Sequence, residues 1–212
     1  MSIYALKGRF QELLRPCVQW LHRRGVTANQ VTVVAALVSV AVAAIVGLRA
    51  GTHPVLFALL PAWMLLRMAL NAVDGMLARE FGQQSTLGAY LNELGDVIAD
   101  TALYLCLLAV PGMTWPPLVA LVVGAALTEY AGVLGLMVGA QRRYDGPMGK
   151  SDRAFVVGVL GLLLAMGLID ADIVEPVTWT MALLCGVTVV RRVRAGLAQA
   201  TMPSNTASGT IG

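Results

Sequence analysis

Residues 30–48 read QVTVVAALVSVAVAAIVGL and contain no charged side chain. A helix of about 20 apolar residues is long enough to cross the hydrocarbon core of a bilayer, so this run predicts a membrane-spanning helix. The rest of the chain has the same character, because 58% of its 212 residues are hydrophobic and 13% are charged. Soluble domains average roughly 25% charged residues, so this composition excludes both a disordered chain and a water-soluble domain.

Five further apolar runs divide the remaining sequence. They predict spans near residues 54–78, 87–110, 117–140, 153–168 and 174–190. Residues 1–24 instead place apolar side chains at helical spacing with basic residues between them, a pattern typical of an amphipathic helix on the membrane surface. The predicted fold class is therefore an all-α integral membrane protein, with six transmembrane helices preceded by an N-terminal amphipathic surface helix.

The predicted domain organisation follows the same boundaries. Residues 1–24 form the amphipathic helix, residues 25–198 form the membrane domain, and residues 199–212 form a disordered tail with little apolar side chain to bury. Lys and Arg are concentrated in the N-terminal segment, in the loop before the fifth span and after the last span. The loops on the opposite side contain one basic residue, Arg49. Basic residues favour the cytoplasmic side, so both termini are predicted to be cytoplasmic in a bacterial inner membrane.

Polar residues interrupt the second and third spans, where they are costly and therefore indicate function. Asn71 and Asp74 are three residues apart and share one helix face. The next span carries a ladder at intervals of four residues, made of Gly88, Asn92, Asp96 and Asp100. A short connection makes these two helices antiparallel neighbours, so the two polar faces can meet. Their oxygen atoms suit a hard divalent cation such as Mg²⁺ or Mn²⁺.

The same residues belong to a longer pattern of fixed spacing. It runs Asp74-Gly75-x-x-Ala78-Arg79, then eight residues, Gly88, three residues, Asn92, three residues and Asp96. This resembles the signature of the CDP-alcohol phosphatidyltransferase family, D-x-x-D-G-x-x-A-R-x8-G-x3-D-x3-D, and every spacing is met. Residues 26–32, VTANQVT, are similar to the T-P-N-x-x-T sequence that precedes the first span in that family, with Ala28 in place of proline.

The chain departs from the family signature at two positions. Asn71 and Asn92 stand where the family has its first and third aspartates, which resembles a divergent branch of the family. The two exchanges remove two negative charges from the expected metal site. The site then holds one metal ion rather than two, or it recruits Glu93 or Asp100, which lies one helical turn beyond Asp96.

The resemblance implies a reaction and a set of site residues. An acceptor hydroxyl attacks the β-phosphorus of a CDP-lipid such as CDP-diacylglycerol, and CMP leaves. The implied metal ligands, for Mg²⁺ or Mn²⁺, are Asn71, Asp74, Asn92 and Asp96. The implied CDP-binding residues are Thr27, Asn29, Gly75, Ala78, Arg79 and Gly88. Asp96 is implied as the general base, with Asp100 as a second catalytic carboxylate, and Lys150 and Arg153 are implied as acceptor-binding residues.

Several alternatives stay open at this level. The two asparagines also fit a pseudoenzyme that binds CDP-lipid and regulates or partners another synthase, and intramembrane acids alone would permit a small transporter. Lys150 and Arg153 could serve only as anchors on the cytoplasmic side. Glu129, inside the fourth span, either pairs with a base such as Arg67 or faces a cavity. The spacing of Gly135 and Gly139 is compatible with close helix contact, and the family implies a homodimer.

Overall fold

Seven α-helices form the part of the chain that the computed structural model describes, residues 3–201. The helices are α1 (Ile3–Arg23), α2 (Ala28–Arg49), α3 (Leu59–Glu80), α4 (Thr86–Leu105), α5 (Trp115–Met137), α6 (Lys150–Ala165) and α7 (Ala171–Ala200). Short 3₁₀ helices at Pro54–Ala58 and Cys106–Ala109 precede α3 and follow α4. No strand is found within these residues. The all-α prediction is confirmed. Most of the predicted C-terminal tail, residues 202–212, lies outside the described residues.

Four segments are long and apolar enough to cross a membrane. They are Ala28–Arg49, Pro54–Glu80, Trp115–Met137 and Ala171–Ala200. Helix α4 is long enough but carries the acids Glu93, Asp96 and Asp100, and α6 has 16 residues. The six-span count therefore stays a prediction. It requires that α4 and α6 also cross the bilayer, with their polar residues shielded by the other helices.

Helix α1 lies against the C-terminal half of α3. Val18 is fully buried, and it belongs to a cluster with Val73, Met76 and Leu77 of α3. Leu13 on the same helix is 77% exposed. One part of the apolar surface of α1 thus packs on protein and another part is uncovered, while the placement of α1 on the membrane surface stays a prediction.

Capping residues fix where the site helices begin. Thr27 caps α2, since its Oγ1 accepts a hydrogen bond from the Gln30 N–H at 3.2 Å, and the Gln30 Oε1 accepts one from the Thr27 N–H at 2.9 Å. Ser85 caps α4 by accepting from the Gly88 N–H at 2.9 Å. Gln83 joins the two regions, because its Oε1 accepts a hydrogen bond from the Ala28 N–H at 2.7 Å. The α3–α4 connection is thereby held against the start of α2.

The apolar core and the buried polar residues occupy different ends of the bundle. Leu60, Leu103, Leu118 and other fully buried apolar residues form one large cluster. The buried charged residues extend from the end of the bundle where α6 begins and α3, α5 and α7 end to the middle of the bundle, where Arg67 and Asp100 lie. They include Arg67, Asp74, Asp100, Glu129, Arg153 and Arg192. This polar end contains the candidate site.

The predicted close-contact pair of glycines does not form a face for a partner helix. A Cβ at Gly135 would lie 2.7 Å from the Gln141 carbonyl oxygen of the same chain, so Gly135 makes room for its own loop. Gly139 follows the end of α5 and has a positive φ of 80°. Both glycines therefore serve the turn out of α5, and this motif does not support the homodimer.

Candidate active site

Two cavities lie side by side at the polar end of the bundle. The first has a volume of about 410 Å³, is formed by α2, α3 and α4, and is called the donor cavity after the role that the resemblance implies for its residues. Its lining includes Asn29, Asn71, Asp74, Gly75, Ala78, Arg79, Gly88 and Asn92. The second, called the acceptor cavity, has a volume of about 540 Å³ and also involves α5, α6 and α7. Asn71 and Asn92 line both cavities, so the predicted site residues on α3 and α4 meet at the wall between them.

Asp74 is the carboxylate of the donor cavity. It is 7% exposed, and its Oδ2 accepts a hydrogen bond from Thr32 Oγ1 at 2.9 Å. Asn71 lies one helical turn before it, and Asn92 approaches from α4. No cluster of three or more His, Cys, Asp or Glu side chains is placed to hold a metal within the described residues. A cation here would therefore depend on one carboxylate and two amide oxygens, which are hard oxygen ligands that Mg²⁺ and Mn²⁺ accept.

Asp96, the fourth predicted metal ligand, lies on the acceptor cavity and is held by two cations. Arg67 Nη2 donates to Asp96 Oδ1 at 3.1 Å, and the Lys150 ammonium pairs with Oδ2. Arg67 is 4% exposed, so its charge is compensated inside the protein rather than by water. The predicted ligand set is thus divided, with Asp74 in one cavity, Asp96 in the other and the two asparagines in both.

The two motif glycines leave room for polar side chains of the donor cavity. A Cβ at Gly75 would lie 2.9 Å from an Nη atom of Arg79, and one at Gly88 would lie 2.6 Å from Asn29 Oδ1. Either methyl group would displace a predicted CDP-binding side chain. Arg79 forms no salt bridge among residues 9–201, whose side chains the structure describes. Its guanidinium can therefore bind an anion without first breaking an ion pair.

Not every predicted nucleotide-binding residue lines this cavity. Thr27 caps α2, and its hydroxyl is engaged there. Four polar side chains outside the predicted CDP-binding and metal-binding sets also line the cavity, namely Thr32, Gln83, Gln84 and Ser85. Thr32 is the last threonine of the segment 26–32 that resembles the family's T-P-N-x-x-T sequence, and this is the sequence signal that could have identified it.

Asp100 lies one turn deeper than Asp96 and belongs to a buried network. It is 5% exposed and pairs with Arg67, and its Oδ2 accepts hydrogen bonds from the Tyr104 hydroxyl at 3.1 Å and Arg153 Nη2 at 3.4 Å. It lines neither the donor nor the acceptor cavity. The structure therefore connects Asp100 to the site through Arg67, which contacts both carboxylates.

Arg153 is fully buried and uses each nitrogen of its guanidinium inside the protein. Nε donates to the Tyr104 hydroxyl at 3.1 Å. Nη1 donates to Thr128 Oγ1 at 2.8 Å and to the Met148 carbonyl at 3.1 Å. Nη2 donates to Glu129 Oε1 at 2.9 Å and to Asp100. A guanidinium has five N–H donors, so none is left for an acceptor phosphate, and the predicted acceptor-binding role does not fit this residue.

Glu129 both faces a cavity and pairs with bases, the two possibilities that its position in the sequence left open. It lines the acceptor cavity, and it pairs with bases, although Arg67 is not one of them. Its oxygens lie 2.9 Å from Arg153, 3.4 Å from Arg142 and 3.7 Å from Arg192. These contacts join α5 to α6, to α7 and to the loop that follows α5.

That loop covers one side of the acceptor cavity with Tyr144. It is closed by a bidentate pair, in which Arg143 Nε and Nη2 lie 2.9 and 3.0 Å from the two carboxylate oxygens of Asp145. The hydrogen bonds from Arg143 lower the pKa of Asp145. Asp145 therefore stays ionised at neutral pH and keeps the loop in place.

The comparisons with known proteins agree with this architecture. A family model described as CDP-alcohol phosphatidyltransferase matches residues 25–196. The inner membrane protein YnbA of Escherichia coli K12 is 46% identical over 166 residues, which cover 78% of this chain and 82% of that protein. Archaetidylinositol phosphate synthase of Aeropyrum pernix is 29% identical over 146 residues, which cover 64% and 73% of the two chains.

Solved structures share the fold. Phosphatidylinositol phosphate synthase (PgsA1) of Mycobacterium tuberculosis with CDP-DAG bound superposes with a TM-score of 0.70 at 22% identity, covering 92% of this chain and 98% of that one. The same enzyme in complex with manganese and citrate gives a TM-score of 0.69 at 21% identity, covering 89% and 92%. Since the family match spans residues 25–196 and YnbA exceeds 40% identity over most of both chains, the chain belongs to the CDP-alcohol phosphatidyltransferase family.

Proposed function

We propose that this protein transfers a phosphatidyl group, or a related lipid phosphate, from a CDP-diacylglycerol-type donor to the hydroxyl of an acceptor alcohol, with release of CMP. The observation that carries the proposal is the meeting of the two cavities at Asn71 and Asn92. A donor in one cavity and an acceptor in the other would react at this shared wall. The membership of the family supports the reaction class.

The donor cavity suits a cytidine diphosphate. Arg79 offers a guanidinium free of ion pairs among the described side chains, and a guanidinium binds phosphate oxygens in a bidentate manner. Gly75 and Gly88 have no side chain, so they leave space in the cavity for the side chains of Arg79 and Asn29. CDP-DAG is bound in the M. tuberculosis enzyme that shares this fold, which supports a CDP-lipid as donor here.

Mg²⁺ or Mn²⁺ is the proposed cofactor. Asp74, Asn71 and Asn92 would hold the ion, and manganese in the M. tuberculosis enzyme supports this choice. When bound, the ion would neutralise charge on the diphosphate oxygens. Thr32 orients the Asp74 carboxylate through the bond to Oδ2.

Asp96 is proposed to accept the proton of the acceptor hydroxyl. A general base must lie within hydrogen-bond reach of that hydroxyl, and Asp96 lines the cavity assigned to the acceptor. Arg67 and Lys150 hold one carboxylate oxygen each, so they fix the orientation of the group. Asp100 and Arg153 are proposed as positioning residues. Asp100 contacts Arg67, which contacts Asp96, and Arg153 contacts Asp100.

The proposed setting is a bacterial inner membrane, with both termini in the cytoplasm. The relative named inner membrane protein and the four long apolar helices support a multi-pass protein. We further propose six spans, an amphipathic helix over residues 1–24 that lies on the membrane and a homodimer. Both cavities then open toward the cytoplasm, where CDP-activated lipids meet soluble alcohols.

A second function is favoured by one specific observation. Asn71 and Asn92 lack the charges of the signature aspartates, and Asp96 is already paired with two cations. A site with so little free negative charge also fits a CDP-lipid-binding pseudoenzyme that regulates or partners another synthase. Purified protein with Mn²⁺, CDP-diacylglycerol and a panel of alcohols separates the two functions. The transferase releases CMP with at least one alcohol, whereas the pseudoenzyme binds the CDP-lipid saturably and releases none.

A further inference from the structure

The two cavities differ in whether the cations that line them already pair with acidic side chains. The donor cavity has a single cation, Arg79, which makes no salt bridge among residues 9–201. The acceptor cavity is lined by three cations and three acids: Arg142, Lys150, Arg192, Asp96, Glu129 and Asp152. Its formal charge is balanced before any ligand enters. This contrast bears on the class of molecule that each cavity can take.

Each cation of the acceptor cavity has an acidic partner within the protein. Lys150 pairs with Asp96, and Arg142 pairs with Glu93 and, at 3.4 Å, with Glu129. Arg192 lies 3.7 Å from Glu129, and it also donates to two backbone carbonyls. Arg142 Nε is the buried side-chain nitrogen that lacks a partner within the described residues. A phosphate group binds several donors, so the others would have to come from cations that already pair with an acid.

The acids of this cavity would oppose an anionic ligand. Asp96, Glu129 and Asp152 all line the cavity. Carboxylates accept hydrogen bonds from hydroxyl groups, whereas a phosphate monoester among them would meet like charges and would need several ion pairs to break. The fully buried Arg153 cannot compensate, since its five donors are engaged.

We infer that the acceptor is an uncharged hydroxyl compound, such as a polyol, rather than the phosphate monoester of one. The inference rests on the proposed transferase function and names its acceptor class. In this arrangement the ion pairs of the cavity stay intact during binding. The hydroxyl groups of the acceptor bond to Asn71, Asn92 and the carboxylates, and the reacting hydroxyl meets Asp96.

Matched pairs of acceptors test the inference. Purified protein in detergent is given CDP-diacylglycerol, Mn²⁺ and either a neutral polyol or its phosphate monoester, such as glycerol against glycerol 3-phosphate and inositol against inositol phosphate. We expect kcat/KM for CMP release to be at least about tenfold higher with the neutral member of a productive pair. A higher kcat/KM with the phosphate monoester would overturn the inference and leave the transferase proposal standing. CMP release with neither class, at saturating donor, would count against the transferase proposal itself.

A binding measurement tests the inference without knowledge of the acceptor. Calorimetric titration of the CDP-saturated protein with inorganic phosphate should show no saturable binding. Saturable phosphate binding that is lost in Lys150→Met would overturn the inference.

A charge variant adds a second check. Asp152→Asn keeps an oxygen that can accept from the Gly149 N–H, a bond of 2.9 Å in the protein, and removes one negative charge. We expect it to raise the use of the phosphate monoester relative to the polyol by about threefold. Asp172→Asn, at the opposite end of the bundle, should leave this ratio unchanged, and equal ratios in both variants would contradict the role of cavity charge.

Discussion

The Lys150 ammonium pairs with one carboxylate oxygen of Asp96, while Arg67 donates to the other oxygen from 3.1 Å. Lys150 is the first residue of α6 and Asp96 lies in the middle of α4. The pair therefore joins two helices at the wall of the acceptor cavity. It also fixes the orientation of the Asp96 carboxylate.

Replacing Lys150 should affect catalysis more than donor binding. Lys150→Met leaves Asp96 with Arg67 as its one charged partner, and losing a charge-assisted contact should lower kcat about tenfold. Lys150→Arg, which can keep the pair, should retain most of the activity. Steady-state kinetics of CMP release measure both. A higher KM for the acceptor at unchanged kcat would instead assign Lys150 to acceptor binding.

Metal affinity should depend on the single carboxylate of the donor cavity. Asp74→Ala should weaken Mn²⁺ binding at least about tenfold, because a hard cation loses its one charged ligand. The double change Asn71→Asp with Asn92→Asp should strengthen it, since two charges are added around the same ion. Electron paramagnetic resonance of free Mn²⁺ measures binding without catalysis, with Asp172→Asn as control. Unchanged affinity in both variants would mean that other residues hold the ion.

The space above Gly88 should decide nucleotide affinity. In Gly88→Ala, the new methyl group would lie 2.6 Å from Asn29 Oδ1 and 3.0 Å from Ser85 Oγ. Displacing these side chains should weaken CDP binding about tenfold. Gly186→Ala is the matched control, because no heavy atom lies within 4 Å of its added Cβ. Equal CDP affinities in the two variants, measured by calorimetry, would exclude Gly88 from the donor cavity's function.

The helical architecture could be predicted from the sequence because it depends on local patterns. The charge-free run at 30–48 predicts α2, and the fixed spacing from Asp74 to Asp96 predicts that α3 and α4 bring their polar faces together. Both need little more than helix periodicity and a short connection. The bounds of α3 and α4 differ from the predicted spans by a few residues, because the 3₁₀ segments at Pro54–Ala58 and Cys106–Ala109 take the ends.

The partners of the buried charges could not be predicted in the same way. Arg153 and Glu129 are 24 residues apart, and Arg153 and Tyr104 are 49 apart, so their contacts depend on how α4, α5 and α6 pack. The sequence indicated only that Arg153 follows a basic loop, which is typical of a phosphate ligand or a membrane anchor. Burial changes that interpretation, because a buried guanidinium must satisfy its donors within the protein.

The role of Arg153 as an internal support gives a stability prediction. Arg153→Met would leave Asp100 and Glu129 with less compensation in a buried site, and removing one partner of a buried pair costs about 3–5 kcal/mol. The free energy of unfolding, measured by denaturant titration in detergent, should fall accordingly. The exposed Arg191 offers the control, since Arg191→Met should change that free energy by less than about 0.5 kcal/mol. A stable Arg153→Met protein that has lost only acceptor affinity would restore Arg153 to the acceptor site.

The fate of the phosphorus atoms tests the central claim most directly. CDP-diacylglycerol labelled at the phosphate next to the diacylglycerol is incubated with Mn²⁺, the purified protein and an accepted alcohol. The proposed reaction predicts that the label stays in a new phospholipid while unlabelled CMP is released, and that Asp96→Asn lowers this rate at least about 100-fold at similar donor affinity. Label released with the nucleotide, or transfer that Asp96→Asn leaves unchanged, would contradict it.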